Sequence, residues 1–120
     1  VRGAGLTIRN PNAPAPVKSI SVEALRDRLA AGSMTVIDVR PLAARTIAPF
    51  SGAHTVMDDA SRGHLEAMDK ATSIAFLCHH GSSSLQAAEH FRALGFSDVW
   101  NIEGGIDAWS QRIDPSVPRY

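Results

Sequence analysis

The chain has 120 residues, and its 12 lysines and arginines balance 12 aspartates and glutamates, so its formal net charge is zero. This length is typical of one compact domain. The balanced charge gives no indication of a broad basic surface that would bind nucleic acid or anionic membranes. No apolar run approaches the roughly 20 residues that a membrane span needs, and the first residues lack the basic and apolar pattern of a signal peptide.

Residues 1–17 differ in composition from the rest and are predicted to be a linker or the end of a preceding domain. Three prolines interrupt any helix there, which favours an extended linker over residues 10–16. Residues 6–8 are predicted to form a short edge strand or to belong to that preceding domain. Because the chain starts at Val1 and not at methionine, we expect it to be part of a longer protein. The domain itself is expected over residues 18–120.

The periodic pattern starts at Ser21, a favourable N-cap for a helix that Gly32 ends. Residues 34–39 are apolar and β-branched, which predicts a strand buried on both faces, as in a parallel sheet. Pro41 ends that strand. The later elements are predicted as strands over 53–56, 74–78 and 99–102 and as helices over 42–46, 61–70, 84–94 and 105–111, with a proline-broken tail over 114–120. This alternation suits parallel crossovers and predicts an open α/β sheet with helices on both faces.

Cys78, the single cysteine, ends the predicted strand over 74–78. Ligands of such sheets bind at the C-terminal ends of the strands. The loop that follows contains Gly81 and three serines, so its amides and the next helix N-terminus can stabilise a thiolate. An inert packing role is the alternative, because free cysteines are often buried; the polar loop favours a reactive thiol.

A single cysteine excludes an internal disulfide and removes the usual case for a zinc site built on several thiolates. Both points predict a reducing, cytoplasmic setting, and we expect neither a metal nor a resident cofactor. His79 and His80 are candidates to tune the thiol pKa or to contact a substrate, with exposed loop histidines as the alternative. Arg45 is a candidate to attract an anionic substrate at the mouth of the site, with a solvated surface arginine as the alternative.

Four separated segments resemble a single-domain rhodanese in their order and spacing. They are residues 36–40 with Asp38 and Arg40, residues 51–53, the loop at Cys78, and residues 95–109 with their Glu-Gly-Gly-Ile run. The resemblance covers about residues 19–110. It implies an α/β rhodanese-like fold, with an open parallel five-stranded sheet and helices on both faces, and sulfurtransferase activity of the thiosulfate:cyanide class.

The resemblance makes Cys78 the nucleophile, which takes sulfane sulfur from a donor such as thiosulfate as a persulfide and passes it to a thiophilic acceptor. Asp38 and Arg40, the Asp-x-Arg motif of the family, and Ser84 are expected to support the site structurally. The substrate-binding residues that we expect are His79, His80, Gly81, Ser82, Ser83 and Arg45.

The chain departs from the family at two places. Ser83 stands where many rhodaneses carry an arginine that would hold an anionic donor, so the anchor for a donor such as thiosulfate is absent from the loop. No acidic residue occurs over 42–47, so the usual partner of Arg40 or Arg45 is missing. Related phosphatases and arsenate reductases use a longer loop closed by arginine, so a phosphatase is not expected.

A second resemblance concerns both ends of the chain. Residues 101–109 and 114–120 are similar to the rhodanese module at the C-terminus of bacterial monothiol glutaredoxin fusion proteins, and residues 5–13 to the end of an A-type iron–sulfur carrier domain. These similarities imply a thiol protein acceptor, or a fused glutaredoxin or iron–sulfur domain, as a partner. The alternative to an enzyme is a non-catalytic rhodanese-like binding module, and the retained Cys78 loop favours the enzyme.

Overall fold

Five parallel strands and five helices alternate along the part of the chain that the computed structural model describes, residues 16–52 and 54–120. The strands are β1 (Lys18–Ile20), β2 (Thr35–Asp38), β3 (His54–Val56), β4 (Ile74–Leu77) and β5 (Val99–Ile102). The helices are α1 (Val22–Ala30), α2 (Leu42–Ile47), α3 (Arg62–Glu66), α4 (Ser83–Ala93) and α5 (Gly105–Arg112). None of these helices has the length and apolar content of a membrane span.

The strands form one sheet in the order β1-β5-β4-β2-β3, and every pair is parallel. The predicted open parallel five-stranded sheet is therefore confirmed. All four residues of the central strand β4 are buried, as expected for a strand covered on both faces. Asp38 pairs in register with Leu77, so the ends of β2 and β4 place Asp38 and Cys78 at the same edge of the sheet.

Helices cover both faces because successive strand residues point to opposite sides. On one face, α1 and α5 pack against the sheet through Val22, Leu25 and Trp109. On the other face, α3 and α4 do so through Leu65 and Phe91. Burial of each such side chain contributes about 1.5–3 kcal/mol relative to exposure, so the two cores fix the strand edge that carries the site.

The strand β1 was not predicted from the sequence. Its Lys-Ser-Ile run has only Ile20 buried, which leaves almost no apolar signal, and its pairing with β5 (Lys18 with Trp100) comes from tertiary structure. The strand predicted over residues 6–8 lies outside the described residues, as does most of the predicted linker. Among the helices, α3 is shorter than the predicted 61–70, and α4 begins at Ser83, one residue earlier than predicted.

Candidate active site

The thiol of Cys78 lies directly after β4, at the C-terminal edge of the sheet. The residue is 2% exposed, and the apolar strand before it fixes its position. The neighbouring strand β2 ends at the fully buried Asp38, and β5 flanks β4 on its other side. Cys78 therefore stands between two strand ends, where parallel sheets of this kind bind ligands.

The start of α5 holds the first two carbonyl groups of the loop. The amide of Ile106 donates to Cys78 O at 2.8 Å, and the amide of Asp107 donates to His79 O at 3.1 Å. In a trans peptide the N–H points opposite to the C=O. The amides of His79 and His80 are consequently directed away from α5, because the carbonyls of the same peptide units face it.

Gly105 makes this contact between the loop and α5 possible. Its φ is +58°, and a Cβ there would lie 2.5 Å from His79 O and closer still to Cys78 O. Real Cβ atoms do not approach backbone oxygens so closely, so a side chain at position 105 would push the loop off the helix. A glycine at position 105 is therefore a requirement for the geometry of the site.

We expect Gly105→Ala to destabilise the protein more than Gly32→Ala. Gly32 has a similar φ of +70°, and a Cβ at that position would meet nothing within 4 Å, so both variants carry the strain of a positive φ, about 1–2 kcal/mol. Only Gly105→Ala adds a collision with backbone, which costs about 1–3 kcal/mol more. Urea unfolding of the two variants measures the difference, and equal losses would show that the loop does not need this close approach.

The sulfur itself is held by the loop that follows it. The amide of Gly81 donates to Cys78 Sγ at 3.1 Å, and Gly81 adopts a φ of +97° in contact with the end of β5. Burial raises the pKa of the thiol, but the hydroxyls of Ser84 and Ser83 and the amides of Ser84 and Gly81 outweigh it and bring the pKa below its ordinary value. The loop thus stabilises a thiolate without a basic side chain.

This lowered pKa predicts the pH dependence of thiol alkylation. Only the thiolate reacts, so the rate with iodoacetamide rises as the pH rises through the pKa of Cys78. We expect the midpoint of that profile at a lower pH than for free cysteine measured alongside. Because Cys78 is the only cysteine, the signal needs no correction for other thiols, and a midpoint at or above that of free cysteine would contradict the expectation.

The serines of the loop have different environments. Ser82 is the N-cap residue of α4, yet its side chain makes no capping hydrogen bond. Ser84 is fully buried, and its hydroxyl donates to the side chain of Asn101 at 2.6 Å. The helix start is therefore fixed by a contact with β5 as well as by its own backbone.

His79 and His80 occupy different environments. The His79 ring stacks between the rings of His80 and Tyr120, with centroid distances of 3.8 and 3.9 Å. His79 Nε2 is buried without a hydrogen-bond partner among the described residues, whereas the His80 side chain is 61% exposed. His79 is thus the enclosed histidine beside Cys78, and the substrate contact expected for either histidine stays a prediction.

Ligand atoms of His79, His80 and Asp107 lie within 4.8 Å of one another. The Asp107 carboxylate, however, already accepts hydrogen bonds from Arg119 at 2.8 Å and from Gln111 at 2.7 Å. The hydrogen bond from Arg119 holds the pKa of Asp107 below its ordinary value, against the opposing effect of burial. These contacts already engage the Asp107 carboxylate, and the expectation that no metal is used stays a prediction.

Asp38 and Arg40 form a buried bidentate pair next to the site. Arg40 Nε donates to Asp38 Oδ1 at 3.0 Å, and Nη2 donates to Oδ2 at 2.9 Å. The remaining Nη1 donates to Ala48 O at 2.8 Å and reaches the Tyr120 hydroxyl at 3.5 Å. Burial opposes the charge of Arg40, but its hydrogen bonds to Asp38 and Tyr120 raise its pKa. The missing acidic partner of Arg40 is therefore Asp38 itself.

Arg45 lies on α2 and is half-buried. Its Nε donates to Arg40 O at 3.0 Å, which braces the chain where it leaves β2. Among the described residues it makes no hydrogen bond to the loop at Cys78. The structure does not bring Arg45 to the thiol in this way, and the substrate-binding role expected for it stays a prediction.

Two side chains of the site were not singled out from the sequence. Tyr120 returns to His79 because Val117, in the same tail, is buried and accepts a hydrogen bond from Ser110. Asn101 contacts both Gly81 and Ser84 from β5. Both residues lie in segments that resemble rhodanese modules, residues 95–109 and 114–120, but nothing in those segments marked either one as a residue of the site.

Two comparisons of the sequence with known proteins point to the same family. The family model of the rhodanese-like domain matches residues 21–112. Thiosulfate sulfurtransferase GlpE from Pseudomonas aeruginosa (strain LESB58) is 31% identical over 74 residues, which cover 62% of this chain and 67% of that protein.

Solved structures share the fold. A rhodanese-like domain protein from Staphylococcus aureus superposes with a TM-score of 0.68 at 23% identity, over 87% of this chain and 99% of that one. The polysulfide-sulfur transferase homodimer from Wolinella succinogenes gives a TM-score of 0.68 at 21% identity, over 87% of this chain and 78% of that one. The family model matches residues 21–112, which are most of this chain, and the parallel sheet agrees with it. The chain therefore belongs to the rhodanese-like domain family.

Proposed function

We propose that this chain is a sulfurtransferase that carries sulfane sulfur on Cys78 as a persulfide. The observation that carries the proposal is the placement of the buried Sγ under the Gly81 amide, in a loop where backbone and serine donors lower the thiol pKa. Donors of this kind stabilise a sulfur anion before and after transfer. Membership of the rhodanese-like family and the similarity to a thiosulfate sulfurtransferase support the same activity.

The proposed reaction has two steps and needs no external oxidant. In the first, the Cys78 thiolate attacks the outer sulfur of the donor, a new S–S bond forms, and the donor's own S–S bond breaks. If the donor is thiosulfate, sulfite leaves with the electron pair. In the second, the acceptor attacks the outer sulfur of the persulfide and Cys78 leaves again as a thiolate. Such covalent transfer predicts ping-pong kinetics.

In this proposal the loop at Cys78 binds the donor mainly through groups without a permanent charge. The loop over residues 79–83 contains no lysine or arginine, and the guanidinium of Arg40 is committed to Asp38. Backbone amides and the hydroxyls of Ser82 and Ser83 then bind the donor, together with the contacts that we predict for His79, His80 and Arg45. We therefore expect a divalent anion such as thiosulfate to bind more weakly than a rhodanese loop with an arginine would allow.

The acceptor that we propose is a thiol, on a small molecule or on a protein. The resemblance of the tail to modules fused with glutaredoxins extends this proposal to a fused glutaredoxin or iron–sulfur domain. A reducing cytoplasmic setting fits such an acceptor, since a single cysteine cannot resolve its own persulfide as an internal disulfide.

Sulfite release tests the proposed function. Thiosulfate is added without an acceptor, and we expect a burst of sulfite that approaches one molecule per chain, because each Cys78 takes one sulfur and then stops. Protein whose Cys78 has first been alkylated is the control and should release none. No burst with thiosulfate, and no uptake of sulfur from polysulfide, would refute the transferase and favour the non-catalytic binding module.

A further inference from the structure

Asn101 connects the two halves of the loop at Cys78. It is half-buried on β5, in register with Phe76 of β4. Its Nδ2 donates to Gly81 O at 2.7 Å, and its Oδ1 accepts from the Ser84 hydroxyl at 2.6 Å. A carbonyl oxygen can only accept, so Nδ2 must face Gly81, and Oδ1 must face Ser84. The orientation of the carboxamide is therefore fixed by its partners.

We propose that Asn101 is a positioning residue, which holds Gly81 on the Cys78 sulfur and controls where the Ser84 hydroxyl proton goes. The proposal refines the site of the proposed function, but it concerns the thiol itself and can be tested without sulfur transfer.

The first part of the proposal concerns Gly81. Glycine has the widest choice of backbone conformations, so the direction of its amide must be set from outside. The Gly81 amide donates to Sγ while its carbonyl accepts from Asn101. A Cβ at Gly81 would also lie 3.0 Å from Ile102 O, so this residue rests against β5. Without Asn101, the Gly81 carbonyl loses its donor. The φ and ψ of Gly81, which relate its carbonyl to its amide, can then change, and the amide can turn away from the sulfur.

The second part concerns the single proton of the Ser84 hydroxyl. In the structure this proton is directed at Asn101 Oδ1, although Ser84 is close enough to Cys78 to lower the thiol pKa. A thiolate is a stronger acceptor than a carboxamide oxygen, because its charge strengthens the hydrogen bond. Asn101 Oδ1 thus accepts the hydrogen bond of the Ser84 hydroxyl while Cys78 is neutral. When the sulfur becomes an anion, the hydroxyl turns and donates to the sulfur instead.

The two parts have opposite effects on the thiol pKa, and this distinguishes positioning from simple support of the fold. Loss of the hold on Gly81 raises the pKa of Cys78, whereas release of the Ser84 hydroxyl to the sulfur lowers it. In a Ser84→Ala background only the first effect remains. Asn101→Ala should therefore raise the pKa more in that background than in the wild-type protein.

The experiment is a double-mutant cycle with Asn101→Ala, Ser84→Ala and the double variant, read by the pH dependence of Cys78 alkylation. In the Ser84→Ala background, we expect Asn101→Ala to move the profile upward by about one pH unit, the effect of losing one hydrogen bond to the charged form. At pH values well below the pKa, the rate then falls about tenfold. In the wild-type background, the shift is smaller.

Controls keep the result interpretable. Ser97→Ala removes an exposed hydroxyl bonded to Lys70 O and should leave the profile unchanged. The other titratable groups around the loop are identical in all variants of the cycle: His79, His80, Asp107, Asp38 and Arg40. If Asn101→Ala does not fold, Asn101→Val, which favours a strand, takes its place.

The absence of a shift in the Ser84→Ala background would overturn the proposal, as would equal shifts in both backgrounds. Alkylation does not depend on a sulfur donor. If the double-mutant cycle gives the expected shifts in a protein that releases no sulfite from thiosulfate and takes up no sulfur from polysulfide, the proposed function is refuted and the role of Asn101 is supported.

Discussion

Cys78→Ser is expected to lower the rate of thiocyanate formation from thiosulfate and cyanide by more than about a thousandfold, as for loss of other covalent nucleophiles. A serine hydroxyl does not ionise near neutral pH and cannot carry sulfur as a persulfide. The chain has no other cysteine to replace it. Steady-state thiocyanate assays on both proteins give the ratio directly.

The fold should survive this substitution. The serine hydroxyl is close in size to the thiol, and the Gly81 amide that donates to Sγ can donate to the new oxygen. We expect cooperative unfolding and a loss of about 1 kcal/mol, which lowers Tm by roughly 4 °C in a domain of this size. Retention of more than about a tenth of the activity in a folded Cys78→Ser protein would remove Cys78 from the chemistry.

Arg40→Met is expected to cause the largest loss of stability among the variants considered, about 3–5 kcal/mol. Asp38 is fully buried and Arg40 is 3% exposed. Removal of the guanidinium therefore leaves an uncompensated carboxylate in the core and a carbonyl, Ala48 O, without its donor. Urea unfolding followed by circular dichroism measures the loss.

The matched control is Arg62→Met, the same substitution in the exposed pair with Glu66. Solvent screens that pair, so we expect little change. Arg40→Lys, which keeps the charge but not the fork that grips both oxygens of Asp38, should fall between the two. If Arg40→Met and Arg62→Met lost the same stability, the buried pair would not be the support of the site that we describe.

The parts of the fold that the sequence predicted are those with a local signal. Residues 74–78 are a continuous apolar run, and residues 34–39 are apolar or β-branched except for Asp38, so their burial in a parallel sheet followed directly from composition. The position of Cys78 at a strand end followed from the same run. β1 has no such apolar run, because Lys18 and Ser19 are polar. Only its pairing with β5 makes it a strand.

The pairing of Asp38 with Arg40 can be predicted from the spacing of the two residues. Residues two apart at the end of a strand point to the same side, so an aspartate and an arginine at this spacing can pair with each other. An acidic partner for Arg40 within residues 42–47 is therefore not needed. The resemblance to rhodaneses gave these two residues a structural role, and the geometry of the pair now gives that expectation a physical basis.

The sequence around Cys78 predicts loop amides that can face the sulfur, but not the contacts that hold the loop in place. These contacts come from elsewhere in the chain: the first amides of α5, the side chain of Asn101 and the close approach that Gly105 allows. The same holds for Tyr120, which reaches His79 only because the tail folds back. The position of the Cys78 thiol at the end of β4 follows from the local sequence. Its electrostatic surroundings, by contrast, are determined by contacts between distant segments.

The most direct test of the central claim is the mass of the protein after incubation with thiosulfate and removal of the donor. We predict one added sulfur per chain, located by digestion on the peptide that contains Cys78 and removed by cyanide. An unchanged mass after incubation with thiosulfate and with polysulfide, in protein whose Cys78 still alkylates normally, would contradict the account.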